Sequence, residues 1–147
     1  MSALGSNVEY DGPDIVSIAP AAELDEAMQK MQKHGIRHLP VIEGGRLMGI
    51  VSDRDLAFIE SLLPYKWTTI SVAEAMTPDP YTARADTPIA EVAQVMAQHK
   101  YGCAVITDAA GAVCGVFTTV DALSLLSRWA PDRSVADALS GKPSLTP

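Results

Sequence analysis

Cysteine, histidine and bulky aromatic residues are scarce in this chain of 147 residues, which holds two Cys, three His, two Trp and two Phe. Cys103 and Cys114 stand eleven positions apart, with no C-x-x-C pair and no flanking His cluster, so no zinc site is written here. Both read as buried, reduced thiols that pack like small apolar residues, and no metal is required. No run approaches the roughly 20 apolar residues that cross a bilayer. Residues 1–8 have neither the basic start nor the apolar stretch of a signal peptide, so a cytoplasmic protein is expected. Cations are in deficit too: 11 Lys and Arg face 18 Asp and Glu, giving a net charge of -7. Such a surface repels phosphate backbones and anionic lipid, so neither nucleic acid nor a membrane is an expected partner. Neither G-x-S-x-G nor G-x-x-x-x-G-K-[ST] occurs. Ser52, His38 and Asp55 come nearest to a triad, but capping and binding explain the same positions and the second half of the chain has no matching His. No catalytic residue is assigned and no enzyme is expected.

What is present is a hydrophobic fraction of 48% with 20% charged residues, the profile of a folded protein with one core or two small ones that share an interface. Pro13-Asp14-Ile15-Val16-Ser17 is echoed by Pro78-Asp79-Pro80-Tyr81-Thr82, and each is followed by a helical pattern, a hairpin and a second helix. The chain is a duplication. Leu24, Ala27, Met28 and Met31 share one helix face, as do Ile89, Val92, Ala93 and Met96. Thr87 is the expected N-cap of the second of these helices, with Pro88 at its first position. Hairpins are expected over residues 39–51, turning through Glu43-Gly44-Gly45-Arg46, and over 103–117, with a longer loop through Asp108-Ala109-Ala110-Gly111. Each runs into another amphipathic helix, from 53 to about 63 and from 119 to about 129. The unit is strand, helix, strand, strand, helix, an α+β architecture. The chain divides into an N-terminal extension (1–12), a first repeat (13–63), a linker and lead-in helix (64–76), a second repeat (77–129) and a C-terminal helix and tail (130–147). The lead-in Ser71-Val72-Ala73-Glu74-Ala75-Met76 is echoed by Ser134-Val135-Ala136-Asp137-Ala138-Leu139, whereas residues 1–12 carry no such pattern. The tail either takes the place that the first copy leaves empty or is a frayed amphipathic terminus.

Gly49-Ile50-Val51-Ser52-Asp53-Arg54-Asp55 and Gly115-Val116-Phe117-Thr118-Thr119-Val120-Asp121 lie at equivalent points, in the form Gly, two apolar residues, Ser or Thr, two variable residues, Asp. A hydroxyl followed three residues later by a carboxylate caps a helix N-terminus. The same pieces suit a ligand with a ribose and a phosphate: Asp accepts from vicinal hydroxyls, while the hydroxyl and the free N–H groups of the helix start receive a phosphate. Capping and binding are compatible.

With His34-Gly35-Ile36-Arg37-His38-Leu39-Pro40-Val41 leading into the first hairpin and GIVSDRD leaving it, the chain resembles a tandem pair of CBS domains, named after cystathionine β-synthase. The likeness covers about residues 13–128 and leaves no attached catalytic or membrane domain within this sequence. The second copy departs from the pattern at Tyr101-Gly102-Cys103-Ala104-Val105, which lacks the Pro. The resemblance implies two repeats packed with pseudo-two-fold symmetry and a non-catalytic regulatory module that binds an adenine nucleotide (AMP, ADP or ATP) in clefts between them and transmits energy status to a regulated protein. It implies that Ser52, Arg54, Asp55, Thr118 and Asp121 hold ribose and phosphate. It further implies that Ser17, Arg37, His38, Pro40, Ile50, Thr82, Gly102, Cys103, Ala104 and Val116 line the base and phosphates. Which approach to a hairpin faces which Asp stays open. A ligand-free interaction or dimerisation scaffold, or a sensor of S-adenosylmethionine, is the competing reading.

Charge ranks the two clefts. Lys30, Lys33, Arg37, Arg46 and Arg54 fall in one short region of the first copy with His34 and His38, where an anion is favoured. Lys30 and Lys33 read most simply as a solvated helix face paired with Glu23 and Glu26. His38 has a reference pKa near 6.5 and links binding to pH, and His99 reads as a solvated or capping residue. Leu56, Phe58, Ile59, Leu62 and Leu63, with Leu123, Leu125 and Leu126 near Trp129, exceed what one small repeat covers, so a homodimer is expected.

Overall fold

The computed structural model describes residues 15–65 and 69–141. Their order is α1 (Leu24–His34), β1 (His38–Glu43), β2 (Arg46–Ser52), α2 (Asp53–Leu62), α3 (Val72–Ala75), β3 (Thr77–Pro78), β4 (Thr82–Arg84), α4 (Ile89–His99), β5 (Cys103–Thr107), β6 (Val113–Thr118), α5 (Thr119–Trp129) and α6 (Val135–Leu139). This is the α+β duplication expected. The opening strand of the first copy is reduced to a bridge from Ile18 to Val41, whereas in the second copy β4 pairs in parallel with β5.

The first hairpin closes through Gly44 and Gly45, whose φ values of 57° and 79° meet the positive-φ demand of a tight two-residue turn. The second has a longer loop, tied by the Asp108 carboxylate, which accepts from the Ala110 and Ala112 N–H groups at 2.9 and 3.0 Å. The registers match: His38 faces Ser52 across one hairpin and Cys103 faces Thr118 across the other. His38 and Cys103 are therefore structural counterparts.

Each repeat buries the helix face read from its sequence. Leu24, Ala27 and Met31 of α1 join Leu39, Val41, Val51 and Leu56, while Val92 and Met96 of α4 join Ala104, Ile106, Cys114, Phe117 and Leu125. A third cluster, Ile50, Val105 and Val113, joins strands of both repeats and seals one against the other. α4 begins one residue late for the predicted cap: Pro88 is the N-cap, at φ -56° and ψ 134°, with no side-chain bond, and Thr87 only turns the chain through its N–H to the Arg84 carbonyl. Lys30 likewise departs from its expected pairing and donates from Nζ to the Ser17 carbonyl at 2.7 Å.

The lead-in segment packs on the first repeat. Val72 is fully buried there with Ile70, the Val72 and Ala73 N–H groups donate to the Ala22 and Pro20 carbonyls, and β3 pairs antiparallel with β2 at Gly49–Pro78 and Ile50–Thr77. Its echo α6 caps itself through Ser134 and Asp137 but buries none of its residues, so the helix does not fill a place in either core. The N-terminal extension lies outside the described residues.

Gly49 shows how tight the β2–β3 contact is, since a Cβ there would stand 2.7 Å from both Met76 Sδ and the Thr77 carbonyl oxygen. The sulfur can swing away, but the backbone oxygen belongs to the paired strand. Gly49→Ala is therefore expected to destabilise the fold by about 1–3 kcal/mol, as overpacking does. A urea titration checks it, and an unchanged midpoint would mean that β3 yields freely.

Candidate functional site

The two signature segments each form a reciprocal capping box. Asp55 Oδ2 accepts from the Ser52 N–H at 2.9 Å while Ser52 Oγ accepts from the Asp55 N–H at 3.1 Å. Asp121 Oδ2 accepts from the Thr118 N–H at 2.9 Å and from its hydroxyl at 3.2 Å, and Thr118 Oγ1 accepts from the Asp121 N–H at 3.2 Å. In both carboxylates the second oxygen, Oδ1, has no partner among the described residues. Capping thus fixes each carboxylate by one oxygen and leaves the other to accept.

An open cleft of about 1300 Å³ lies between the repeats, ample against the roughly 300–1,000 Å³ of small-molecule sites. Thr118 and Asp121 at the start of α5 line it together with Arg37 and His38 from the approach to β1 and Ser52 and Arg54 from the start of α2. The approach to the first hairpin and the Asp of the second repeat thus border one cleft. Gly102 and Val116 also line the cleft. A Cβ at Gly102 would stand 3.3 Å from His38 Nε2, so the missing side chain lets the repeats close on the imidazole.

Other predicted residues lie elsewhere. Asp55 does not line this cleft. It lies near Cys103, whose thiol is pushed up to about 11 by burial first and by the Asp55 charge second. Pro40 is fully buried on the strand face that it shares with Ile42, and Ala104 belongs to the second core on the opposite face of its strand, so neither side chain lines the cleft. Ile50 is spent on the seal between the repeats. Thr82 lines a separate, shallow groove beside β4, and Ser17 gives its carbonyl to Lys30.

The sequence reading missed Ile15, Val16, Met96 and Lys100, all of which line the cleft. Lys100 is the C-cap of α4 and takes a left-handed φ of 60°, where α1 has Gly35 at φ 64°. Its position directly before Tyr101-Gly102 was the available signal. Arg37 is held only loosely, at 3.9 Å from Asp53 with both side chains exposed, so it is free to turn to a ligand. His99 stacks on Tyr101 at 5.0 Å, and Tyr101 stacks on Tyr81 at 5.7 Å. Among the described residues no group of three or more His, Cys, Asp and Glu is placed to hold a metal ion, and no helix is long and apolar enough to cross a membrane.

A family model described as the CBS domain matches residues 9–60 and 72–128. Inosine-5'-monophosphate dehydrogenase of Korarchaeum cryptofilum is 32% identical over 74% of this chain, and a CBS domain-containing protein of Dictyostelium discoideum is 32% identical over 70%. The chain spans 21% of the dehydrogenase, 45% of the uncharacterized protein MJ1225 of Methanocaldococcus jannaschii and 78% of the Dictyostelium protein. The structure of CBSX2 in complex with AMP matches at 25% identity and a TM-score of 0.64, covering 78% of this chain and 89% of that one. The CBS domain pair of MJ0100 in complex with 5'-methylthioadenosine and S-adenosyl-L-methionine matches at 27% identity and a TM-score of 0.67, covering 81% of this chain and 94% of that one.

His38 connects the cleft to pH. Burial lowers its pKa below 6.5, outweighing the opposing pull of Asp53 and Asp55, while Arg37 and Arg54 lower it further. The folded state thus binds fewer protons there than the unfolded chain, so this contribution to stability is complete above about pH 6.5 and declines as the pH falls toward the lowered value. Urea midpoints between about pH 7.5 and pH 5.5 should fall more steeply in the parent than in His38→Gln. His34 and His99 are common to both proteins, so parallel slopes would refute the assignment.

Proposed function

Because the chain belongs to the CBS domain family, we propose that it is a non-catalytic regulatory module that binds an adenine nucleotide in the cleft between its repeats. The carrying observation is Asp121, fixed through one oxygen and with the other unpartnered among the described residues, in a cleft that Arg37, Arg54 and Lys100 also line. Oδ1 accepts from a ribose diol. The purine lies against Ile15, Val16 and Val116, and the phosphates run toward the cations and the N–H groups at the start of α5. The AMP and methylthioadenosine complexes of the similar structures support an adenosine core. S-adenosylmethionine shares that core but has a sulfonium in place of phosphate. Three cations around the cleft favour the nucleotide.

Regulation follows from differential affinity, since a ligand moves a partner only if it binds one arrangement of the repeats better than another. Asp121 and Arg37 sit on different repeats, so a ligand that spans them senses the distance between repeats. We place the apolar outer faces of α2 and α5 in an isologous homodimer: Phe58 and Leu62 are 61% and 58% exposed, and Leu126 and Trp129 are 57% and 63% exposed.

AMP at about 100 times its dissociation constant should raise the unfolding free energy by about 2.7 kcal/mol, seen as a shift of several degrees in Tm. Asp121→Ala should remove most of that shift and Arg37→Ala should weaken it more for ATP than for AMP, with calorimetric titration giving the affinities. A Tm unmoved by millimolar AMP, ADP or ATP but raised by S-adenosylmethionine would transfer the role to the sulfonium compound. A Tm unmoved by all four would leave a ligand-free scaffold.

A further inference from the structure

The duplication is completed on one side only. On the first repeat, the segment that follows α2 supplies Ile70 and Val72 to the core, donates two backbone hydrogen bonds to Pro20 and Ala22, and adds β3 to the edge of β2. On the second repeat the corresponding positions are present but, among the described residues, lack such cover. Ala85 and Thr87 stand where Pro20 and Ala22 stand, with the Thr87 N–H to Arg84 carbonyl bond repeating that from Ala22 to Ala19. Ile89 and Ala83 are only partly buried where Leu24 and Ile18 are 0% and 2% exposed. Among the described residues, β6 has no strand on the side away from β5.

The chain also carries the missing piece. Ser134-Val135-Ala136-Asp137-Ala138-Leu139 repeats Ser71-Val72-Ala73-Glu74-Ala75-Met76, with the same capping box at its start. Yet Val135 is 76% exposed where Val72 is fully buried, and Leu139 is 52% exposed. The difference lies in the tether. Nineteen positions run from the helix cap Ser52 to Ser71, and sixteen from Thr118 to Ser134. Three residues are about 10 Å of extended chain, and α5 is a residue longer than α2, at 11 against 10. A connection too short to fold back on its own repeat favours exchange of the segment between copies.

We propose that the segment 134–141 of one copy docks on the second repeat of another copy as residues 71–78 dock on the first repeat of their own chain. Val135 enters the core beside Ile89, Leu139 takes the place of Met76, and Ser140 and Gly141 pair along β6 at Val116 and Gly115. Gly115 then does for the incoming strand what Gly49 does for β3, whose close approach leaves no room for a Cβ. Val116 and Gly115 also line the large cleft, so the docked segment completes one of its walls.

Val116→Cys and Ser140→Cys, made in separate chains with Cys103 and Cys114 replaced by Ser and Ala, test this directly, because the β2–β3 register places those two positions opposite each other. After the two proteins are refolded together and oxidised, a disulfide-linked mixed dimer is expected. An internal disulfide in the double variant with no mixed dimer would mean that the tail folds back on its own repeat, and absence of any disulfide would remove the docking altogether; either outcome overturns the proposal. Circular dichroism of each single variant checks that it folds. Truncation after Arg133 is a second arm: a Tm lower by several degrees is expected, and an unchanged Tm would overturn it. AMP affinity is measured on the unmodified protein, so failure of nucleotide binding and failure of the docking are told apart.

Discussion

The corner where each hairpin turns into its second helix is fixed by one reciprocal interaction, a hydroxyl residue and an aspartate that cap each other across three positions. Two or three hydrogen bonds there satisfy N–H groups that no helix can satisfy internally, and they lock the strand exit to the helix axis. The consequence reaches past local stability. A carboxylate held by one oxygen is pre-organised, so a diol that meets the other oxygen costs little additional side-chain ordering. Were the aspartates replaced by longer glutamates, the cap would survive but the free oxygen would move. The same side chains therefore serve the fold and stand ready for a ligand, which explains why capping and binding could not be separated from the sequence.

Electrostatics makes the two repeats unequal. Around one cleft Arg37, Arg54 and Lys100 gather within a chain of net charge -7. On the side of Asp55, burial holds Cys103 in its neutral thiol form where the first repeat has His38. Counterpart positions thus carry a titratable base and a group inert at neutral pH. A duplicated fold of this kind keeps its geometry while its chemistry diverges, because each side-chain position outside the shared seal of Ile50, Val105 and Val113 is free to change alone.

Helix faces, hairpins and the two signature corners were legible in the sequence because periodicity and turn chemistry are local. Leu24, Ala27 and Met31 had to share a face, and Gly44-Gly45 had to turn. Thr87 was misread because a Pro at the following position satisfies two different helix starts. Pro40 and Ala104 were assigned to the pocket by resemblance, yet both are fully buried, Pro40 opposite Ile50 of the seal and Ala104 in the second core. The sharing of one cleft between the repeats was not legible: that Arg37 and Asp121 line the same space depends on how strands 60 or more residues apart pack, which no local pattern encodes.

Lys100 ends α4 in a left-handed conformation that glycine adopts freely and that costs a residue with a Cβ roughly 1 kcal/mol, whereas the first repeat has Gly35 at that point. The lysine is therefore held in a backbone shape that a plainer residue would relieve. Thermostability and the positive charge at the rim of the cleft pull this one position in opposite directions, so a variant selected only for heat resistance would be drawn toward glycine here and would lose that charge.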